Sequence, residues 1–196
     1  MFAEQGYGET GLADVLERAN VSKGAFYYHF ESKESLAEAI IEAFDQRAIA
    51  SVDQNFDPAA PTLEGLIRAT FEVQTLMRYD RTVQVGQQLA QALTQVSDAG
   101  AGVYRRWTDR FVEMVSMVIK TGELHEDVDV DEVAEAIWVA VLGCHLISAA
   151  VGDDCYGRLA RSWRVVMRSA VPASSSAEIS DLLERISDDY RKAAPA

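Results

Sequence analysis

Polar and aromatic side chains suited to binding a nucleic acid are concentrated in one short stretch of the chain. Lys23, Tyr27, Tyr28 and His29 lie close together in sequence, and Gly24 lies among them. Lysine ammonium groups and tyrosine hydroxyls contact phosphates, and a glycine lets the backbone approach a duplex closely. The stretch therefore predicts a surface that binds the sugar-phosphate backbone of DNA.

Two short predicted helices would position these side chains. Apolar residues on one helical face predict a first helix over residues 12–19. A tight turn follows at residues 20–22, and Ser22 is a preferred N-cap residue for a second helix that runs through Phe30. Two short helices joined in this way form a helix-turn-helix, whose second helix enters a DNA major groove.

The remainder of the chain predicts further helices and no strands. Proline occurs only at positions 58, 61, 172 and 195, and no alternating β-branched run with hairpin signals occurs. The segment 97–102 contains two glycines and predicts a loop. The main predicted helices cover approximately residues 33–54, 82–96, 103–121, 131–150 and 157–169. The predicted fold is all-α, with a DNA-binding domain over residues 1–45 and a larger helical domain over residues 46–196.

Composition is that of a globular protein. The 196 residues are 48% hydrophobic, which is enough to bury a core. Residues 1–20 lack the basic start and apolar run of a signal peptide, and the apolar segment 134–151 is interrupted by Glu135 and His145. We therefore expect a cytoplasmic protein that does not cross a membrane.

The cysteine and histidine residues suggest neither a metal site nor a catalytic site. Cys144 and Cys155 are too few and too far apart for a metal-binding pair, and we expect both to be free thiols. Neighbouring helix residues point about 100° apart, so Cys144 and His145 do not form a dyad. No nucleophile elbow, phosphate loop or carboxylate pair is recognisable. We expect no enzyme activity, no metal and no cofactor.

The net charge of −13 opposes a nucleic-acid partner. Residues 1–54 contain four basic side chains against ten acidic ones. If the chain binds DNA, the attraction between opposite charges contributes little at its N-terminal end.

A dense local pattern nevertheless resembles a known family. Residues 6–7, 10–19 and 20–36 closely resemble the DNA-binding domain of TetR-family transcriptional repressors. The resemblance implies a homodimer that binds palindromic operator DNA. In the family a basic arm and a full first helix precede the position of Gly6, so we expect that most of this helix is missing from the sequence. The implied DNA contacts are Thr10, Ser22, Lys23, Gly24, Ala25, Tyr27, Tyr28, His29 and Lys33.

The larger domain resembles one branch of that family. Residues 104–107, 122–134 and 141–144 look like the actinobacterial γ-butyrolactone receptors, in which a tryptophan at the position of Trp107 lines the pocket for a small lactone autoregulator. An aromatic wall with a few polar groups also suits a hydrophobic molecule with one polar end. The predicted ligand-binding residues are Trp107, Phe111, Gln84, Val85, Gln88, Leu89, Val141, Cys144 and His145.

Plainer interpretations of these positions stay open. Trp107 and Phe111 are one helical turn apart and also fit an ordinary core, and Trp138 fits either a pocket wall or a helix interface. The resemblance implies a repressor of antibiotic or secondary-metabolite genes that a γ-butyrolactone-like signal releases from DNA. The alternatives are a pseudo-receptor, a regulator answering a furan, butenolide or antibiotic, or one with no ligand.

Dimerisation is predicted on the helices over residues 131–150 and 157–169. They are more apolar than the core of one chain requires, and they can pair with their symmetry mates as a four-helix bundle. The candidate interface residues are Val139, Leu142, Leu146, Leu159, Trp163, Val166 and Met167.

Overall fold

The computed structural model describes residues 1–94 and 97–195, and every regular element in those residues is a helix. The all-α prediction is therefore confirmed, and the end of the helix predicted over residues 82–96 lies outside the described residues. The helices are α1 (Phe2–Glu9), α2 (Leu12–Ala19), α3 (Lys23–His29), α4 (Lys33–Asn55), α5 (Leu63–Tyr79), α6 (Arg81–Leu93), α7 (Asp98–Lys120), α8 (Val130–Val151), α9 (Cys155–Ala170) and α10 (Ser176–Ala193), with a 3₁₀ turn at Ala173–Ser175.

The chain divides into two compact units. The first unit contains Met1–Ala48 and Asp80–Arg105, and the second contains Ile49–Tyr79 and Arg106–Ala196. Helix α6 therefore belongs to the same unit as the N-terminal helices, although the sequence predicted a single domain boundary near residue 45. Helices α4 and α7 each contribute residues to both units.

Within the first unit, α4 and α6 lie against each other at a glycine. A Cβ atom at Gly86 would lie 2.9 Å from Cγ of Phe44 and closer still to its Cβ, with the carbonyl oxygen of Ile40 at 3.2 Å. Carbon atoms do not approach this closely, so a side chain at position 86 would require the two helices to move. Phe44 is buried, and the backbone of α6 therefore packs directly on the core side of α4.

The loop prediction for residues 97–102 is wrong, because α7 already begins at Asp98. The Ala99 N–H donates to Oγ of Ser97 at 3.2 Å, which satisfies one of the unpaired amides at the start of the helix. A Cβ atom at Gly100 would lie 2.9 Å from the backbone nitrogen of Thr94. The glycine thus allows α7 to pass close to the end of α6.

The second unit is built around α5 and α9. Helix α9 packs against α8, α10 and α5, and α5 also contacts α8 and α10. The buried Trp163 of α9 donates its Nε1–H to Oγ1 of Thr70 in α5 at 2.9 Å, and Thr70 in turn donates to the carbonyl oxygen of Ile67 at 2.7 Å. This satisfied network joins the two helices inside the core.

The acidic segment between α7 and α8 caps two helices. Oε1 of Glu123 accepts a hydrogen bond from the Leu63 N–H at the start of α5, at 3.1 Å. Oδ1 of Asp129 accepts one from the Glu132 N–H in the first turn of α8, at 3.0 Å. Carboxylates at these positions also favour the positive end of each helix dipole. The segment thus has a structural role in the second unit.

Substitution of Gly86 by alanine should destabilise the first unit. The new methyl group would overlap Phe44, and overpacking of this kind costs about 1–3 kcal/mol. A chain of this length should then lose about 2–12 °C in Tm by calorimetry. Gly8→Ala is the matched control, because a Cβ atom there meets no other atom within 4 Å. A Gly86→Ala variant that melts with the wild type would contradict the close packing of α4 and α6.

Candidate functional site

Helix α3 is held in place by one buried ring and one capping hydroxyl. Phe26 is 5% exposed, and its ring centre lies 5.5 Å from that of Phe30. The Ala25 N–H donates to Oγ of Ser22 at 3.1 Å. The preceding helix α2 ends at Asn20, whose left-handed backbone (φ 52°) turns the chain into α3. The predicted helix-turn-helix is therefore present, with Phe26 facing inward.

The opposite face of α3 is open to solvent. Tyr28 is 84% exposed and Tyr27 is 55% exposed, although tyrosine usually buries much of its ring. Two adjacent exposed phenols on one short helix are available to bind phosphates or base edges. The predicted DNA contacts that are exposed are Ser22, Lys23, Gly24, Ala25, Tyr27, Tyr28 and His29.

Two other predicted DNA contacts use their polar groups inside the first unit. The Thr10 side chain is fully buried, and its Oγ1 donates to the carbonyl oxygen of Gly6 at 2.6 Å. Lys33 is half-buried, and its Nζ donates to the carbonyl oxygens of Tyr7 and Thr10, each at 2.9 Å. The ammonium also lies 4.3 Å from the ring centre of Tyr7. Thr10 and Lys33 thus join the end of α1 to the start of α4.

These interactions leave few free positive charges near α3. Arg18 and Arg47 are each paired with a carboxylate, and Lys33 is bonded to backbone carbonyls. Within residues 1–54, all of which the structure describes, Lys23 is the one basic side chain without such a partner. It is therefore the basic group most available to a phosphate in this part of the chain.

Three aromatic rings form a cluster in the second unit. Trp107 and Phe111 of α7 have ring centres 6.0 Å apart, and the Trp138 ring of α8 lies 5.7 Å from Trp107 and 5.5 Å from Phe111. All three side chains are buried, and rings at these separations are in contact. The sequence left Trp138 open as either a pocket wall or part of a helix interface, and in the structure it packs on the two rings of α7.

The other predicted ligand-binding residues divide between the two units. Helix α6 in the first unit carries Gln84, Val85, Gln88 and Leu89, and α8 in the second unit carries Val141, Cys144 and His145. Leu89 and Val141 are buried, whereas Gln88 is exposed. The sequence predicted one pocket from residues that the structure assigns to two units.

Burial favours the uncharged forms of Cys144 and His145. Burial raises the pKa of the Cys144 thiol, whose Sγ lies 3.6 Å from Oγ of Ser162. Burial, with a smaller effect of the positive charge of Arg78, lowers the pKa of His145. Among residues 1–94 and 97–195, no three side chains are grouped as metal ligands.

Gln74 is a buried polar residue of α5 that the sequence prediction missed. Its Nε2 donates to the carbonyl oxygen of Val141 in α8, and its Oε1 has no hydrogen-bond partner. Val141 follows Trp138 by three residues, so the two share a helix face. The available sequence signal was a pair of polar residues, Thr70 and Gln74, one turn apart on the apolar face of an amphipathic helix.

Helices α8 and α9 leave apolar side chains in contact with solvent. Helix α8 is long and apolar enough to cross a membrane by length and composition alone, which is weak evidence because core helices of soluble proteins share this property. The exposed fraction of Leu146 is 67%. The exposed apolar face consists of Val139, Leu146, Ile147, Val151 and Val165.

The predicted dimer interface is wrong at three positions. Leu159, Trp163 and Met167 are buried within the chain's own second unit, because that side of α9 faces α5 and α10. Leu142 and Val166 are half-buried, and only Val139 and Leu146 of the predicted set are exposed. An apolar residue type does not show which neighbour buries it.

Two family profiles match the sequence. The profile described as "Bacterial regulatory proteins, tetR family" covers residues 1–40, and "Tetracyclin repressor-like, C-terminal domain" covers residues 60–172. The chain belongs to the TetR family. It is accordingly a helix-turn-helix transcriptional regulator and not an enzyme, as the sequence predicted.

Relatives and solved structures indicate the branch of the TetR family. The A-factor receptor protein of Streptomyces griseus is 28% identical over 171 residues, which are 86% of this chain but only 59% of that protein. The transcriptional regulator AcuR of Cereibacter sphaeroides is 30% identical over 155 residues, 73% of this chain and 68% of that protein. The chain thus spans less than two thirds of the A-factor receptor.

The structural neighbours include γ-butyrolactone receptors. CprB from Streptomyces coelicolor A3(2) superposes with a TM-score of 0.80 at 29% identity, covering 96% of this chain and 92% of CprB. An ArpA-like γ-butyrolactone receptor superposes with a TM-score of 0.77 at 27% identity, covering 96% and 91%. CprB has also been solved with its biological operator sequence. The predicted relationship to the γ-butyrolactone receptors is confirmed.

Replacement of Lys23 by glutamine should weaken DNA binding and reduce its dependence on salt. Each lysine–phosphate ion pair contributes about 0.9 to the magnitude of the negative slope of log K against log salt, so a bound homodimer that loses one pair per protomer should show a reduction of about 1.8. Fluorescence anisotropy with a labelled duplex at several salt concentrations measures both quantities. Lys120→Gln, which removes the same charge from the last turn of α7, should leave them unchanged. An unchanged slope for Lys23→Gln would remove Lys23 from the interface.

Proposed function

We propose that this TetR-type repressor acts in the cytoplasm as a homodimer, binds palindromic operator DNA through α3, and is released by a small γ-butyrolactone-like molecule. The observation that carries the DNA-binding part is the division of α3 into a buried Phe26 and an exposed face with Tyr27, Tyr28 and Lys23. Support also comes from CprB, a similar protein that was solved with its operator.

The dimer follows from the shortage of positive charge and from the exposed apolar face. One α3 with a single free lysine offers little attraction to a phosphate backbone, whereas two copies spaced by about 34 Å contact successive turns of one groove. Two copies of the exposed apolar face can pair about a two-fold axis, because such an interface is complementary to itself. Four helices, α8 and α9 of each chain, would then form the contact.

Substitution of Leu146 by glutamate should shift the chain from dimer to monomer. The new carboxylate would be buried against its symmetry mate without a partner, which is strongly unfavourable. Light scattering coupled to size exclusion measures the mass directly. Ala39→Glu introduces the same charge at an exposed position of α4 and should remain dimeric. A Leu146→Glu chain with the mass of the wild-type dimer would exclude this face as the interface.

The ligand part of the proposal depends on the core of the second unit. The cluster of Trp107, Phe111 and Trp138 supplies apolar surface. Cys144 and His145 follow Trp138 in α8, and burial shifts the pKa of each toward its uncharged form. Such a core suits an uncharged molecule with an apolar body and a few polar atoms, and a lactone with an alkyl chain is one. The ArpA-like γ-butyrolactone receptor is a similar chain that is named for a ligand of this kind.

Release requires the ligand to favour a conformation that does not fit DNA. We propose that α4 moves in this conformation and carries α3 out of register with its symmetry mate. To change the population ratio of the two conformations from 1:99 to 99:1, the ligand must bind one of them more tightly by about 5.5 kcal/mol. The regulated genes in this proposal are those of antibiotic or secondary metabolism.

Replacement of Trp107 by phenylalanine should uncouple ligand response from DNA binding. A gel shift with DNA from upstream of the chain's own gene, with and without γ-butyrolactones of varied alkyl length, measures both. The wild type should release DNA, and Trp107→Phe should bind DNA normally but require much more lactone. Trp163→Phe, a core substitution away from the aromatic cluster, should keep the lactone response. Operator binding that no lactone changes in the wild type would instead favour a pseudo-receptor or a different ligand.

A further inference from the structure

The Gln74 amide has a fixed orientation in the core of the second unit. Its side chain is fully buried, and it extends from α5 to the carbonyl oxygen of Val141 in α8. A carbonyl oxygen only accepts hydrogen bonds, so it can contact the NH₂ group of the amide but not Oε1. The flipped amide would place two acceptors together, and Oε1 is therefore directed away from the Val141 carbonyl.

Oε1 of Gln74 is an acceptor without a donor. The atom is buried and has no hydrogen-bond partner. Buried polar atoms in native proteins are nearly always paired, because an unpaired one loses its hydration with no compensation. Thr70, one turn earlier in α5 and equally buried, follows this rule, since its hydroxyl donates to Ile67 and accepts from Trp163. Gln74 is an exception to this rule within the same helix.

Gln74 is linked to α8, the helix that also carries Trp138 of the aromatic cluster. Val141, its hydrogen-bond partner, is on the same face of α8 as Trp138, and Trp138 contacts Trp107 and Phe111. An apolar core with one directed polar group has the composition of a specific small-molecule site. A buried acceptor there selects a ligand that brings a hydrogen-bond donor.

We infer that Oε1 of Gln74 accepts a hydrogen bond from a hydroxyl group of the ligand and is the residue that selects for that hydroxyl. A γ-butyrolactone ring carries only acceptors, its ring oxygen and its carbonyl oxygen, so the ring alone cannot satisfy Oε1. The donor must come from a hydroxyl on a substituent. A keto group at the same place would put a second acceptor against Oε1 and could not form a hydrogen bond with it. This inference rests on the proposed lactone response and narrows its ligand to hydroxylated lactones.

The first test needs no ligand. Methionine at position 74 matches glutamine in length and removes the unpaired acceptor, so the Tm of Gln74→Met should equal or exceed that of the wild type. Thr70→Val is the matched control, because it leaves the Trp163 N–H unpaired, and its Tm should fall by about 3–6 °C. A comparable fall for Gln74→Met would show that Oε1 is satisfied within the folded chain, for example by a water molecule, and would overturn the inference.

The second test measures ligand selectivity by calorimetry. The probes are two synthetic γ-butyrolactones that differ only in a hydroxyl or a hydrogen on the alkyl substituent. The wild type and Thr70→Val should bind the hydroxylated lactone about tenfold more tightly, and Gln74→Met should bind both equally. Equal binding by the wild type would overturn the inference and leave the proposed function standing. If neither lactone bound the wild type, both the inference and the proposed lactone response would be overturned.

Discussion

The burial of Phe26 is the constraint on which the DNA-binding part of this protein depends. Helix α3 contains only seven residues, and a helix of that length is unstable in water without tertiary contacts. Its stability comes from the buried ring and from the cap at Ser22. The same ring sets the rotation of the helix, because burying Phe26 turns Tyr27 and Tyr28 to the outside. Lys33 then joins the start of α4, directly after α3, to the end of α1.

The charge of the chain makes geometry more important than electrostatic attraction. With a net charge of −13 and Lys23 as the one unpaired basic group in residues 1–54, a single α3 gains little from counterion release. Affinity in the proposed mechanism therefore depends on holding two recognition helices at the spacing of successive grooves. That spacing is sensitive to small shifts in the helices that carry α3, which is a property that an inducer can exploit.

Local features were predicted from the sequence more reliably than contacts between distant residues. The helix-turn-helix was predicted because a capping serine and an apolar period act within a few residues. The loop over residues 97–102 was wrong because Gly100 serves close packing against α6, which no local pattern shows. The partners of Lys33 lie more than twenty residues away. The missing hydrogen bond of Gln74 becomes visible only when α5 and α8 are placed together. Residue type alone did not distinguish the monomer core from an interface at Leu159, Trp163 and Met167.

Selection of DNA from a random pool of duplexes by the purified wild-type chain, followed by sequencing of the bound fraction, tests the central claim most directly. Two copies of α3 related by a two-fold axis should enrich an inverted repeat, with half-site centres one helical turn or a multiple of it apart. Phe26→Ala, which removes the buried ring but none of the exposed side chains of α3, should enrich nothing. If the wild type enriched an asymmetric sequence, or enriched no sequence, this result would contradict DNA binding by two symmetric copies of α3.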